Sequence, residues 1–464
     1  MKQSITYLFL CLCFFTMSQS DSLTVLSYQD FIEIVKKDHP YTKQAEIRIH
    51  EGDASLLYAK GAFDPKIYTD VSQKYFNNNQ YYSLINGGLK IPTWFGIELT
   101  GGYEQNQGVY LNPENRNPNS GLIHAGISLP IGKGLFIDER RAELKKARLF
   151  QQVSEMEQQI IMNELIYNAG ISYWKWFKAY NNLMVYNDAY QLAKERFDAV
   201  KLGAYVGDRP AIDTLEAGIQ VQNRMLGLKQ SEIEFKNTTA LLSIYLWAEG
   251  IIPLELAEGT VPLLANATSA LNTNQLLFSQ MDSLMRNHPK INQSRYIISQ
   301  FEIDKRFKKN QLLPTLNLKY NPITENVGGQ SLANFSTNNY TWGVEFSVPI
   351  LLRKERGALK LAELKIQDYN LQLSNQQQVL RYKMIAAKNQ WIGTVEQVEL
   401  YTQTVKDANS LLKGERQLFD IGESSLFMVN SREVGYIKTQ LKFIELMTNN
   451  RLAELMTIYA LGKL

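Results

Sequence analysis

Between positions 340 and 348 the chain alternates. Tyr340, Trp342, Val344, Phe346 and Val348 are apolar, and Thr341, Gly343, Glu345 and Ser347 between them are small or polar. A period of two sends successive side chains to opposite faces, so the segment predicts a strand with one apolar and one polar face. The pattern returns where Leu316, Leu318 and Tyr320 interleave with Asn317, Lys319 and Asn321. It returns again where Ile123, Ala125, Ile127 and Leu129 interleave with His124, Gly126 and Ser128, and where Ile67 and Val71 oppose Asp70 and Ser72. Each run is about ten residues, the length a tilted β-strand needs to cross a bilayer. Stretches 106–120 and 326–339 are rich in Asn, Gly and Ser and read as long polar loops. Aromatics lie near the strand ends: Tyr75, Phe76, Tyr81, Tyr82, Tyr340 and Trp342. Segments 85–91 and 95–99 predict an added hairpin, and the pattern leaves open whether it joins the same wall. Alternation alone also suits a soluble sandwich.

A second pattern has a longer period. No proline occurs from Arg140 to Lys201, which predicts about 60 residues or roughly 90 Å of helix. Leu149, Val153, Met156 and Ile160 step by four, three and four, the spacing of a coiled-coil seam. Tyr167, Trp174, Phe177 and Met184 extend that stripe. A second proline-free stretch runs from about Ala358 to Phe419, and partner helices are predicted over Ala211 to Trp247 and Leu426 to Leu461. A charged run such as Glu143, Lys145, Lys146 and Arg148 reads as a solvated face.

These elements occur twice in the same order. Asp38-His39-Pro40 returns as Asn287-His288-Pro289, Pro65 as Pro314, and Ile127-Ser128-Leu129-Pro130-Ile131 as Phe346-Ser347-Val348-Pro349-Ile350. Arg140-Arg141-Ala142 and Arg356-Gly357-Ala358 then open the long helices. Ordered matches of this kind predict a duplication. The expected organisation is a first repeat over 21–246, with strands at about 65–131 and long helices at about 140–246. A Pro- and Gly-broken connector follows over 247–275. The second repeat covers 276–464, with strands at about 314–350 and helices at about 356–461.

Composition narrows the function. The 464 residues carry 49 Lys+Arg against 46 Asp+Glu, a net charge of +3, which gives no case for nucleic acid. Lys2, the apolar stretch Ile5 to Met17 and Ser18-Gln19-Ser20 follow the pattern of an export signal over 1–20. Both cysteines, Cys11 and Cys13, lie inside it, so the mature chain is expected to lack thiols. Beyond it no apolar run is long enough for a membrane helix, which leaves strands as the route into a bilayer. No GxSxG, HExxH, P-loop or GxGxxG arrangement is present. His39 and His288 precede prolines and read as helix-boundary residues, and His50 and His124 are isolated. The chain is therefore not expected to be an enzyme, nor to hold a catalytic centre, a cofactor or a metal.

The export signal, the duplicated helix–strand–strand–helix order and the long helices together resemble the TolC-like outer-membrane efflux proteins. The resemblance covers nearly all of the mature chain. It is carried by Pro130 to Ala147 and Pro349 to Ala362, by Arg196-Phe197 through Gly207 to Asp213, and by Leu418 through Gly422 to Val429. It implies a mainly α fold with a transmembrane β-barrel part. Three protomers each give four strands to a shared barrel, and their coiled-coil helices continue it as a trimeric α-barrel. It implies a homotrimer in outer-membrane lipid of a Gram-negative-type bacterium, with the helical part in the periplasm. Its partners would be a periplasmic membrane-fusion adaptor protein and an inner-membrane pump. The implied function is the passive exit duct of a tripartite efflux or type I secretion system. The adaptor-contact tips would be Gly207, Asp208 and Arg209 with Gly422, Glu423, Ser424 and Ser425. Gly203-Ala204-Tyr205 make the first tip read as longer than the family's. Asp208, Asp213, Asp420 and Glu423 would supply acidic rings near an entrance. The competing reading is an envelope coiled-coil structural or adaptor protein, which accounts for the helices and export but not for strands of bilayer length.

Overall fold

The structure is a computed structural model, and it describes residues 24–263, 281–325 and 335–464. The expected export signal, part of the connector and part of the 326–339 loop lie outside the described residues. The elements in chain order are β1 (Val25–Leu26), α1 (Tyr28–Asp38), α2 (Pro40–Gly61), β2 (Lys66–Phe76), β3 (Asn79–Pro92), β4 (Glu98–Gln107) and β5 (Leu122–Pro130). Two helices follow, α3 (Glu139–Tyr205) and α4 (Ala211–Ser243), then the short strands β6 (Trp247–Ala248), β7 (Ile252–Pro253) and β8 (Val261–Pro262). The remainder is α5 (Met281–Arg286), α6 (Pro289–Asn310), β9 (Thr315–Glu325), β10 (Tyr340–Ser347), α7 (Arg353–Asp420) and α8 (Leu426–Ala460). The long helices have 67 residues in α3 and 68 in α7.

The chain forms two compact units. Of the described residues, one takes 24–39, 169–263 and 397–451, and the other takes 40–168, 281–325, 335–396 and 452–464.

The first unit has an aromatic core. Phe31 and Val35 of α1 are fully buried with Tyr173, Trp176 and Phe177 of α3. Tyr173 stacks on Phe31 at 5.7 Å and its hydroxyl donates to the Leu26 carbonyl. Trp176 donates from Nε1 to Thr239 Oγ1. Large rings bury much apolar area with few torsions to freeze, which suits a thin helical layer. The predicted stripe holds at Trp174 and Phe177, which are buried, and fails at Met184, which is exposed. Helix α4 stops at Ser243, earlier than the predicted Trp247. Tyr245 and Leu246 donate three residues back, to Leu242 and Ser243, and Trp247–Ala248 then pairs with Ile252–Pro253 around Gly250 at φ +84. The described part of the connector is thus ordered, and β8 pairs in parallel with β1.

The second unit holds one antiparallel sheet with strand order β10-β9-β5-β4-β3-β2. The predicted added hairpin is β3 and β4, and it lies between β2 and β5. The sheet therefore has six strands where the resemblance implies four. Asn77 and Asn78 close β2 to β3 with φ +51 and +59, the left-handed pair that a two-residue hairpin turn requires. Two small cores lie among this unit's helices: Ile137, Ala142 and Ile303 with Phe307 near the start of α3, and Met384, Ala387, Ala460 and Leu461 with Met281, Leu284 and Met285 farther along α7.

Candidate membrane wall and helical tips

The register of the sheet assigns every strand residue to a face. Along one line Val71 opposes Ile85; along others Ile67 opposes Leu89, Leu99 opposes Ile127, Ile127 opposes Tyr320, and Tyr320 opposes Trp342. Leu318 opposes Val344 and Leu316 opposes Phe346. One face thus carries large apolar side chains on every strand, interrupted by Thr69, Gln73, Ser83 and Gln105, and many of them are exposed: Ile67 at 88 %, Trp342 at 67 % and Phe346 at 65 %. The other face carries Lys66, Asp70, Asn86, Lys90, Glu98, His124, Ser128, Lys319 and Glu345. Lys319 pairs with Glu345 at 3.8 Å and Asn317 donates to the same carboxylate. An exposed apolar sheet face backed by a charged one inverts a soluble protein, where the uncovered face is polar. It is the arrangement of a barrel wall between lipid and water.

Aromatic and large apolar groups gather at both ends of the strands. At the end with the polar loops, Phe76 meets Tyr81 at 5.8 Å and Tyr81 meets Tyr110 at 4.5 Å. At the helical end the β3–β4 turn holds Trp94 against Phe95 at 5.4 Å, and Phe136 and Ile350, which follow β5 and β10 at this end, are also exposed. Rings at two levels match the two interfaces of a bilayer. From this end α3 starts under Asp138, whose Oδ1 accepts from Arg141 N, while Arg140 reaches Glu98 at 3.8 Å.

The first unit contains both helix-turn-helix tips. Val206 to Pro210 and Ile421 to Ser425 are turns of equal length. Gly203-Ala204-Tyr205 belong to α3, and the carbonyls of Gly203 and Ala204 accept the closing bonds. Asp208 N donates to the Gly203 carbonyl and Gly207 N to that of Ala204; Glu423 N donates to Leu418 and Gly422 N to Phe419. Gly207 at φ +87 and Gly422 at φ +81 make each a glycine-capped helix end. The two tips pack on Val200, Ala217 and Leu426 with Phe197 and Phe419. Arg209 sits over the Phe419 ring at 4.3 Å. Asp208, Glu423, Ser425 and Asp420 are exposed, and Asp213 and Ser424 are half-buried, with Ser424 donating to Glu415. Around them Leu202, Tyr205, Val206, Ile212, Leu215, Ile421 and Phe427 are exposed, so the tip surface is apolar with acidic residues set into it.

Above the tips lies a cluster that sequence patterns did not reveal. Glu433 of α8 is 2 % exposed. It pairs with Arg196 of α3, with Arg416 of α7 at 3.2 Å and with Arg224 of α4 at 3.9 Å. Arg196 also donates to Asn430 Oδ1, and Asn430 donates to Glu216. Burial holds the Arg224 guanidinium below its ordinary value, with Glu433 opposing the shift. The cluster joins four helices.

His39 stands between α1 and α2, stacked on Tyr245. His288 caps α6, its Nδ1 accepting from Lys290 N. Both therefore bound helices, as their prolines suggest. Among the described residues no group of three His, Cys, Asp or Glu could hold a metal ion, and no helix is long and apolar enough to cross a membrane.

No family model matches this sequence, and no curated protein is similar to it in sequence. Solved structures are similar to it in fold. The CmeC outer-membrane channel of Campylobacter jejuni aligns with a TM-score of 0.65 at 14 % identity, over 94 % of this chain and 85 % of that one. The outer-membrane protein VceC of Vibrio cholerae gives 0.65 at 14 % identity, over 94 % and 96 %. The open state of the MtrE outer-membrane channel of Neisseria gonorrhoeae gives 0.66 at 12 % identity, over 94 % and 88 %. The chain has the fold of the TolC-like outer-membrane efflux channels.

Proposed function

We propose that this protein is an outer-membrane exit duct of a tripartite efflux or type I secretion system. In this reading it conducts substrates passively from a periplasmic adaptor and inner-membrane pump to the exterior. The observation that carries the reading is the sheet, with its apolar face exposed and its charged face opposite. Such a sheet suits lipid on one side and water on the other.

The working form is a homotrimer. Ile212, Ile219, Leu226 and Ile233 recur every seven residues along α4 and are all more than half exposed. A heptad stripe left uncovered in one chain is a seam for another helix, and a second copy supplies it. The wall makes the same demand, since its end strands β10 and β2 are not paired with each other.

The tips Gly207, Asp208 and Arg209 with Gly422, Glu423, Ser424 and Ser425 form the adaptor-contact surface. Their support is the exposed apolar surround and the capped turns that hold it rigid. Threefold repetition would set Asp208, Asp213, Asp420 and Glu423 as acidic rings at the periplasmic entrance. The protein supplies a path and a gate, and the pump supplies energy.

The test is the mass of the protein extracted from alkali-washed outer membranes, by light scattering corrected for detergent, followed by conductance in planar bilayers. Three chains per particle and discrete conductance steps are expected. A monomer released by salt, with no conductance, would return the protein to the envelope coiled-coil reading.

A further inference from the structure

We infer that the β3–β4 hairpin is part of the membrane wall, so that each copy contributes six strands and three copies close an eighteen-stranded barrel. This inference rests on the channel reading above and concerns the width of its outer mouth.

Three observations place the hairpin in the wall. First, its pairing is continuous: β3 pairs with β2 from Lys66↔Lys90 to Phe76↔Asn79, and β4 pairs with β5 from Glu98↔Ser128 to Glu104↔Leu122. A decorating hairpin would leave β2 beside β5. Second, its alternation is in phase with the rest. Ile85, Leu89 and Leu99 share the apolar face, and Asn86, Lys90, Thr100 and Glu104 the polar one. Its turn adds exposed Trp94 and Phe95 to the apolar belt at the helical end. Third, its seams are built like the seam between the two halves. On the polar face Tyr68 of β2 lies over Gly88 of β3, His124 of β5 over Gly102 of β4, and Asn321 of β9 over Gly126 of β5. A Cβ on Gly102 would stand 2.6 Å from the His124 ring, and one on Gly88 would stand 2.9 Å from the Tyr68 hydroxyl. The same glycine-under-side-chain device locks all three junctions.

The occupant of the free edges is a second copy. Unpaired strand edges are not tolerated in lipid. With six antiparallel strands, β10 and β2 run in opposite directions. A neighbour's β10 laid against β2 therefore continues the alternation without a parallel pair. The apolar face also continues across this seam, from Ile67 and Val71 to the neighbour's equivalents of Trp342, Val344 and Phe346. Barrel diameter grows roughly in proportion to strand number, so eighteen strands make a mouth about 1.5 times as wide as twelve.

The experiment is electron cryo-microscopy of the full chain in lipid nanodiscs, counting strands. A bimane-labelled Leu99→Cys variant in brominated lipid accompanies it, with Ile127→Cys as the core-strand control. Eighteen strands, and quenching at position 99 equal to that at 127, are expected. A trimer closed by twelve strands with position 99 unquenched would overturn the inference and leave the channel standing. A particle with no shared barrel would overturn the channel reading itself.

Discussion

Arg196 and Glu433 form an ion pair across 237 residues of sequence, at the centre of four helices. Glu433 is shared by three guanidiniums, from Arg196, Arg224 and Arg416. A buried charge deprived of its partner costs far more than the pair contributes. Glu433→Ala is therefore expected to lower stability by about 3–5 kcal/mol, because it strands Arg196 and Arg224. Arg416 is more exposed, and Arg416→Ala should cost about 1 kcal/mol or less. Denaturant unfolding followed by helical circular dichroism checks both. Equal costs would show that Glu433 is not the hub.

Gly207 and Gly422 separate backbone effects from packing effects. Both have positive φ, and a Cβ on either meets nothing within 4 Å. Replacement by alanine should thus cost only the left-handed backbone penalty, about 1–2 kcal/mol, and asparagine should cost less. Gly126 is the contrast, since a Cβ there would collide with Asn321. Melting temperatures of the alanine and asparagine variants at both tips decide this. If Gly207→Ala were neutral, the capped turn described for α3 would be wrong.

The α4 stripe predicts assembly. Leu226→Glu places a charge on an exposed position of the isolated chain, so its fold should be unaffected. In the trimer the same charge enters a helix seam. The expected outcome is unchanged helical content with loss of the three-chain particle by light scattering. A trimer that persists in Leu226→Glu combined with Ile219→Glu would exclude α4 from the seam between copies.

What could be read in advance follows from the range of the interactions involved. Strands such as Tyr340–Ser347 announce themselves because side chains alternate within the segment, and long helices because proline is missing. The capped tips were legible through Gly207 and Gly422. The place of β3 and β4 was not, because pairing partners are set by register between distant strands, and Gly88 and Gly102 acquire meaning only beside Tyr68 and His124. Glu433 was invisible for the same reason, as its partners lie on three other helices. The Ile212–Ile233 heptad was present in the sequence. It becomes informative only once those side chains are known to be uncovered.

His288 gives a pH dependence of definite sign. Burial, with Lys290 adding to it, pushes the ring down to about 4, so it is neutral when folded and its Nδ1 can accept from Lys290 N. The unfolded chain takes up this proton near the ordinary value of about 6.5. Stability is therefore full above about 6.5 and falls as pH drops toward about 4, with roughly 2 kcal/mol lost by pH 5. His39 is shifted in the same direction by burial, so the wild type alone cannot isolate His288. His288→Asn keeps a capping acceptor without the titration. The stability difference between wild type and this variant should shrink between pH 7 and pH 5 in favour of the variant. A constant difference would mean that His288 takes up its proton without cost in the fold.

The two faces of the wall make the sharpest prediction, because neighbouring residues should respond in opposite ways. Val344 faces the apolar side, and Glu345, next in sequence, faces the polar side and pairs with Lys319. Arginine on the lipid face of a barrel costs about 2–4 kcal/mol near the bilayer midplane, whereas lumen positions tolerate charge. Ile127→Arg and Val344→Arg should reduce the heat-resistant, membrane-inserted fraction sharply. Ser128→Arg and Gly343→Arg should insert near wild-type levels, and nothing lies within 4 Å of a Cβ at Gly343 to resist it. The check is the fraction retained in alkali-washed outer membranes. If both members of each pair were lost equally, the sheet would be packed on both sides, and lipid could not be what covers its apolar face.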